Sequence, residues 1–216
     1  MLCSMENKFY QIPEHLRPKN EGTDELFTNG FMEKLTRTHI SIPVTMHSII
    51  VITFCYLAFQ QVAWLTLIGL FFAGWLTWTL AEYWVHRYVY HVHTEKKWLL
   101  KIQHMGHGIH HQYPKDPTRL AMPPVPALLL LSLFYGLFWL ALGELAIAFF
   151  PGFVFGYLLY ISIHYAQHRF KTPKFFMFKR LWKYHAMHHY KYPEDKAFGV
   201  STLLWDVVFG TLPKEN

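Results

Sequence analysis

From Pro43 to Ala81 the chain carries no charged side chain. That run is about forty residues, twice the roughly 20 that an α-helix needs to cross a hydrocarbon core of about 30 Å. The polar pair Gln60 and Gln61 divides it, which predicts two helices joined by a tight turn. The same picture repeats from Leu120 to Tyr165, divided at Gly143 and Glu144. Two helical hairpins are expected, with spans near 43–60, 62–85, 123–142 and 145–167.

The basic residues give this pattern a direction. None of the 20 lysines and arginines falls between Thr38 and His86 or between Leu120 and His168. Four spans put all of them on one side, and the positive-inside rule makes that side cytoplasmic. The expected fold is an all-α integral membrane protein with four transmembrane helices in two hairpins and a helical, histidine-rich cap on the cytoplasmic face. Residues 1–40 read as a cytoplasmic N-terminal segment without the apolar core of a signal peptide. Within it an amphipathic helix is expected from Asp24 to Thr38, with Leu26, Phe27, Met32 and Leu35 as its apolar face. Residues 41–216 form the membrane domain, with histidine-rich cytoplasmic segments at 86–119 and 168–216.

Composition agrees. Charged residues make up 16% of the chain, against about 25% in soluble domains. The net charge of +6 is not gathered into a stripe between aromatics, so a nucleic-acid partner is not expected. Cys3 and Cys55 are the only cysteines, and Cys55 lies in an apolar run. A disulfide framework and a cysteine-based zinc or iron–sulfur site are therefore set aside.

Histidine is the outlier, at 15 residues, and ten of them fall into four groups. His86 and His91 close the second span, and His164 and His168 close the fourth. His107, His110 and His111 make one H-x-x-H-H group, and His185, His188 and His189 make another. Residues three and four apart share a helix face, so each H-x-x-H-H group is expected to aim three imidazoles at one spot. His86 and His91 are five apart, about 140° around an α-helix. They converge only if the helix ends or bulges between them, or else each serves a different metal. Spans two and four end on the same side as both triplets, so ten imidazoles can meet at one membrane boundary. Ten nitrogens exceed the needs of one ion, whether tetrahedral or octahedral, and two ions are expected. Of the other five, His15, His39 and His47 read as solvated or interfacial, and His93 as facing elsewhere. His104, three before His107, is a candidate to support a ligand from behind.

The chain resembles the fatty acid hydroxylase superfamily of membrane di-iron oxygenases, and within it the fatty acid 2-hydroxylases. The resemblance rests on Leu35-Thr-Arg-Thr38, on Leu76-Thr-Trp-Thr-Leu-Ala-Glu-Tyr83 with His86-Arg87 and His91, and on the stretch from His107 to Pro124. Tyr184-His-Ala-Met-His-His189 and the stretch from Phe198 to Thr211 carry it to the C-terminal end. It implies two iron ions held by the ten histidines, with O₂ as co-substrate and insertion of one oxygen atom at C2 of a long-chain acyl group, including that of ceramide. Zinc suits the same ligands and can replace iron in purified protein, but it has no redox chemistry. The acyl lipid is expected to enter from the bilayer. Many members carry a cytochrome b5 domain, for which the forty N-terminal residues leave no room, so a separate donor such as cytochrome b5 or a ferredoxin-type protein is expected. Asp116 and Arg119, in a proline-rich link, could bind the lipid head group, although anchoring of the loop is favoured. Trp205, Asp206 and Phe209 read equally as an interfacial cap under the site or as a helix docked on the surface. Tyr83, Tyr88 and Tyr90 fit an interfacial aromatic belt. The setting is a bacterial inner membrane or the endoplasmic reticulum, with the site facing the cytoplasm. The rivals are a sterol or carotenoid hydroxylase or a lipid desaturase of the same superfamily and, from another class, a membrane metal transporter or storage protein.

Overall fold

The computed structural model describes residues 17–19 and 21–214, and no strand occurs among them. Cys3 and His15 lie outside the described residues. Helices α2 (Ser41–Gln61) and α3 (Trp64–Val85) form one hairpin, and the chain reverses through Val62 and Ala63 directly after the glutamine pair. Helix α3 continues into a π-helical turn, His86–Tyr90. Then come α4 (Lys97–Gln103), a second π turn (His104–Gly108) and α5 (Ile109–Gln112). Helices α6 (Pro124–Leu142) and α7 (Ala146–Arg169) form the other hairpin, reversing at Gly143, whose φ of +59° disfavours any side chain. Helices α8 (Phe176–Tyr190) and α9 (Leu204–Val208) complete the chain.

Among the described residues, three stretches are long and apolar enough to cross a membrane: Ser41–Gln61, Trp64–Tyr90 and Pro124–Arg169, the last being the whole α6–α7 hairpin. Their outer faces leave large side chains bare, with Ile52 68%, Leu129 69% and Leu140 84% exposed. Contiguous apolar surface of this kind suits lipid rather than water. The chain is thus a multi-pass membrane protein.

Helix α7 is the axis on which α2, α3 and α6 pack. Small residues let α3 and α7 approach closely. A Cβ on Gly74 would stand 2.1 Å from the Phe149 carbonyl oxygen, and one on Gly152 would stand 1.8 Å from that of Phe71. Between membrane helices such close backbone contact takes the place of a hydrophobic driving force. The other side of α7 is sealed by aromatic packing, including Phe138 against Phe149 and Phe153, and Phe150 against Phe54 and Tyr135.

The helix expected over Asp24–Thr38 is confined to α1, Gly30–Lys34. Asn29 caps it by accepting from the Phe31 and Met32 amides, while the Glu33 carboxylate accepts from the Leu26 and Phe27 amides. Those local bonds hold the preceding residues out of the helix. The segment is pinned to the link before α6 by an ion cluster. Arg119 bonds the Glu33 carboxylate, the Asp24 carbonyl at 2.8 Å and the Thr36 hydroxyl at 3.1 Å. Asp116 accepts from the Thr23 hydroxyl at 2.5 Å and lies 3.5 Å from Arg37.

Candidate metal centre

The π turn at His86–Tyr90 is the bulge that the spacing of His86 and His91 requires. A π turn bonds i to i+5 rather than i to i+4, and the two rings come to 5.1 Å of each other. The second π turn delivers His107 at its end and passes directly into α5, which carries His110 and His111. Helix α7 brings His164 and His168, and α8 brings His185, His188 and His189.

The ten histidines gather into two groups of five. His86, His91, His107, His111 and His188 make one, and His110, His164, His168, His185 and His189 make the other. Within each group the nearest ring nitrogens all lie within 4.8 Å of one another, and only His168 is less than fully buried. The expectation that each H-x-x-H-H group aims at one spot is corrected here. His107 and His111 face the first group and His110 the second, while His185 and His189 face the second and His188 the first. Adjacent helical residues diverge by about 100°, so each triplet straddles the boundary between the groups. His111 and His189 stack across that boundary, with centroids 4.2 Å apart.

Backbone carbonyls fix the protons. His86 Nδ1 lies 2.5 Å from the Phe198 carbonyl, His164 Nδ1 3.1 Å from that of Leu120, and His188 Nδ1 2.9 Å from that of Lys196. A carbonyl only accepts, so in these three rings the proton is on Nδ1 and Nε2 presents a lone pair. Those Nε2 atoms point into the groups. His107 Nε2 is 3.0 Å from the Nε2 atoms of both His86 and His111, and His188 Nε2 is 3.2 Å from that of His111. In the second group His110 Nε2 stands 3.0 Å from that of His164 and 3.2 Å from that of His189. His168 and His185 meet at 2.7 Å.

A ring nitrogen has one in-plane site, holding either a proton or a lone pair, so hydrogen bonding cannot satisfy two such neighbours at once. Nitrogens bound at about 2.1 Å to one ion and at right angles to each other stand about 3.0 Å apart. The donor set therefore fits one cation per group. The histidines outside the spans are also kept in the form a cation needs. Burial above all, and then the neighbouring imidazoles, hold His107, His110, His111, His185 and His189 well below the ordinary histidine range. Burial brings His188 down to about 4.

A loop braced by two carboxylates supports the first group. Glu82 accepts from the Val200 and Ser201 amides, each at 2.8 Å, and from the Ser201 hydroxyl. Asp206 accepts from the Phe198 amide at 2.9 Å, the Gly199 amide at 2.7 Å and the Thr211 hydroxyl at 2.6 Å. The loop thereby holds the Phe198 carbonyl against His86. Asp206 is thus a brace inside the fold, and Trp205 bonds the Thr79 hydroxyl of α3 at 3.0 Å. Sequence reasoning assigned no role to Glu82; its one signal was a carboxylate near the end of an otherwise uncharged span.

Other expectations resolve differently. His104 belongs to neither group. His39 and His93 are exposed, as expected, but His47 is fully buried. Tyr88 is 57% exposed, whereas Tyr83 is buried under Phe198 and Phe209 and hydrogen-bonds Thr211 and Arg87. Tyr90 stacks on His107 at 4.8 Å and turns toward the site rather than a belt.

Two cavities adjoin the histidines. An outer one of about 350 Å³ is lined by His107, His110, His164 and Arg119. An inner one of about 100 Å³ runs between the spans from His86 to Leu131, Phe134 and Phe153. Tyr90, Met122, Leu130, Tyr157 and Tyr160 line both.

Comparison with known proteins places this architecture. The family model described as fatty acid hydroxylase matches residues 71–211. The dihydroceramide fatty acyl 2-hydroxylase FAH2 of Arabidopsis thaliana is 39% identical over 87% of this chain and 79% of its own length. The ceramide very long chain fatty acid hydroxylase SCS7 of Saccharomyces cerevisiae is 35% identical over 98% of this chain, which spans 56% of that protein. The fatty acid 2-hydroxylase of Rattus norvegicus is 39% identical over 69% of this chain and 41% of its own. A solved structure of full-length scs7p, with only the hydroxylase domain visible, superposes with a TM-score of 0.85 at 35% identity, covering 93% of this chain and 76% of that one. With more than half of its length inside the family match and relatives of this kind, the chain belongs to the fatty acid hydroxylase family.

Proposed function

We propose that this chain is a di-iron monooxygenase that hydroxylates C2 of long-chain fatty acyl groups, including those of ceramide, with O₂ as co-substrate. The observation that carries the proposal is the pair of five-nitrogen groups sharing one buried boundary beside a cavity that runs between apolar helices. The names of the relatives point to the same chemistry. Bound iron would supply oxygen activation and the oxidation of the C–H bond, which no side chain here can perform.

The protein's share is placement. His86, His91, His107, His111 and His188 would hold one ion, and His110, His164, His168, His185 and His189 the other. The acyl tail would lie in the inner cavity against Leu131, Phe134 and Phe153, with the carboxyl end toward the outer cavity, which Arg119 lines. The apolar walls would keep water from the reacting carbon. The proposed topology is four spans, with α6 and α7 each crossing once and the histidine cap in the cytoplasm of a bacterium or at the endoplasmic reticulum. A separate electron donor, such as cytochrome b5 or a ferredoxin-type protein, would dock there. Exposed Lys96, Lys97, Lys101 and Lys179 on the histidine-bearing segments suit an acidic donor.

The test is lipid analysis of cells with and without the gene, together with metal content of the purified protein. The expected outcome is new 2-hydroxy acyl lipid and two iron ions per chain. A product oxidised elsewhere, such as a sterol, a carotenoid or a desaturated chain, would overturn the reading, and so would a single metal.

A further inference from the structure

Among the described residues, His47 is the histidine buried in a membrane-spanning helix away from both groups. Its Nδ1 lies 2.6 Å from the Pro43 carbonyl. That carbonyl can only accept, so the proton is on Nδ1 and Nε2 presents a bare lone pair. Nε2 is buried and has no hydrogen-bond partner among the described residues. The ring packs 4.6 Å from that of Tyr157 and forms part of the wall of the inner cavity. An unsatisfied polar atom at membrane depth is costly, and an ionisable residue there marks a site by default.

Three polar groups on that wall already have partners in the fold. Glu82 braces the loop at Val200 and Ser201, His86 Nδ1 faces Phe198, and the Tyr157 oxygen accepts from the Met122 amide. A buried water needs about 2–4 polar partners, and a wall dominated by Leu131, Phe134 and Phe153 is poorly suited to supply them. A hydroxyl attached to an alkyl chain answers both needs, because its proton meets the lone pair and its carbons fill the apolar space.

We propose that the inner cavity is a subsite for an acyl chain that carries a hydroxyl group, with the hydroxyl donating to His47 Nε2. This rests on the acyl-hydroxylase reading above. It adds that the preferred substrate is already hydroxylated on the tail side of C2. An earlier enzyme of hydroxyl-forming chemistry, such as an enoyl hydratase, a ketoacyl reductase or another hydroxylase, must then supply it.

The experiment measures binding and turnover separately. Long-chain acyl methyl esters, one unsubstituted and others with a single hydroxyl moved carbon by carbon along the chain, are bound to the purified metal-loaded protein without reductant and read by the rise in Tm. One hydroxylated member should bind about tenfold tighter than the unsubstituted chain, the effect of satisfying one otherwise bare acceptor. His47→Leu should erase that advantage while the unsubstituted chain binds as before, and His47→Gln, which keeps an acceptor, should retain part of it. A series with no preferred position overturns the proposal even if the leucine variant does not fold, because it leaves at most a bound water on His47. A preference that survives in His47→Leu overturns it equally. If the preference holds but no member gains a 2-hydroxyl with the iron-loaded enzyme, the hydroxylase reading fails instead.

Discussion

The rings of His86 and His91 stand 5.1 Å apart although five residues separate them, because the turn between them is π rather than α. Inserting one alanine after Val89 would set the two histidines six apart and swing His91 about 100° off the group. The expected result is loss of the metal held by His86, His91, His107, His111 and His188, with the other ion retained. Elemental analysis of the purified variant should fall from two metals per chain toward one.

Glu82 holds three donors of the loop that carries the Phe198 carbonyl. Hydrogen bonds to a buried charged group contribute about 1.5–3 kcal/mol each, with partial compensation when several go together. Glu82→Ala should therefore cost about 2–4 kcal/mol of stability and loosen His86, whose Nδ1 partner would drift. A thermal melt in detergent and metal content read the two effects. The change should weaken the His86 group before the His164 group.

The long charge-free runs made the hairpins legible, because lipid imposes length and apolarity on a span whatever the packing. The ten clustered histidines were legible too, since repeated H-x-x-H-H spacing has few other uses. Their division into two groups was not. It depends on how α5 and α8 are rotated against each other, and a triplet aimed at one point and a triplet straddling two points have the same spacing. His47 was misread because a single histidine in an apolar run gives no sign of which way it faces. Tyr83 was misread because burial under Phe198 and Phe209 comes from a segment more than 100 residues later. The α1 boundary shifted because Glu33 bonds amides six and seven residues before it, a local competition that periodicity does not register.

The depressed histidines imply an acid-labile protein. For His188 the folded value is about 4 against an ordinary 6.5. Between those values the unfolded chain binds a proton that the folded chain does not, so stability rises with pH there and is flat above it. His107, His110, His111, His185 and His189 are shifted in the same direction. The Tm of the metal-free protein should be steady above about pH 6.5 and fall steadily toward pH 4. Bound metal should be released over the same range, because protons and cations compete for the same lone pairs.

Arg119 joins the N-terminal segment to the link before α6 through Glu33, Thr36 and Asp24. Arg119→Leu leaves the Glu33 carboxylate with Arg37 and two amides, at a cost of about 1–3 kcal/mol. The 21–38 segment should then become the first site of limited proteolysis, while two metals per chain are retained. If Arg119 also guides the acyl head group, KM should rise with little change in kcat, a split that anchoring alone would not produce.

The close approach of α3 and α7 sets the distance between the two halves of the centre, since α3 leads into His86 and α7 carries His164 and His168. At Gly152 a Cβ would lie 1.8 Å from the Phe71 carbonyl oxygen, which is backbone and cannot step aside. Gly152→Ala should therefore push the helices apart, lower stability by about 1–3 kcal/mol and reduce metal occupancy in both groups together. Gly69→Ala and Gly136→Ala are the controls, because nothing lies within 4 Å of either added Cβ. In those open helical positions alanine should be neutral or should stabilise by about 0.5–1 kcal/mol. Thermal melts and metal content of the three variants separate the cases. If Gly152→Ala melts and loads metal like the controls, helix contact does not set the geometry of the centre.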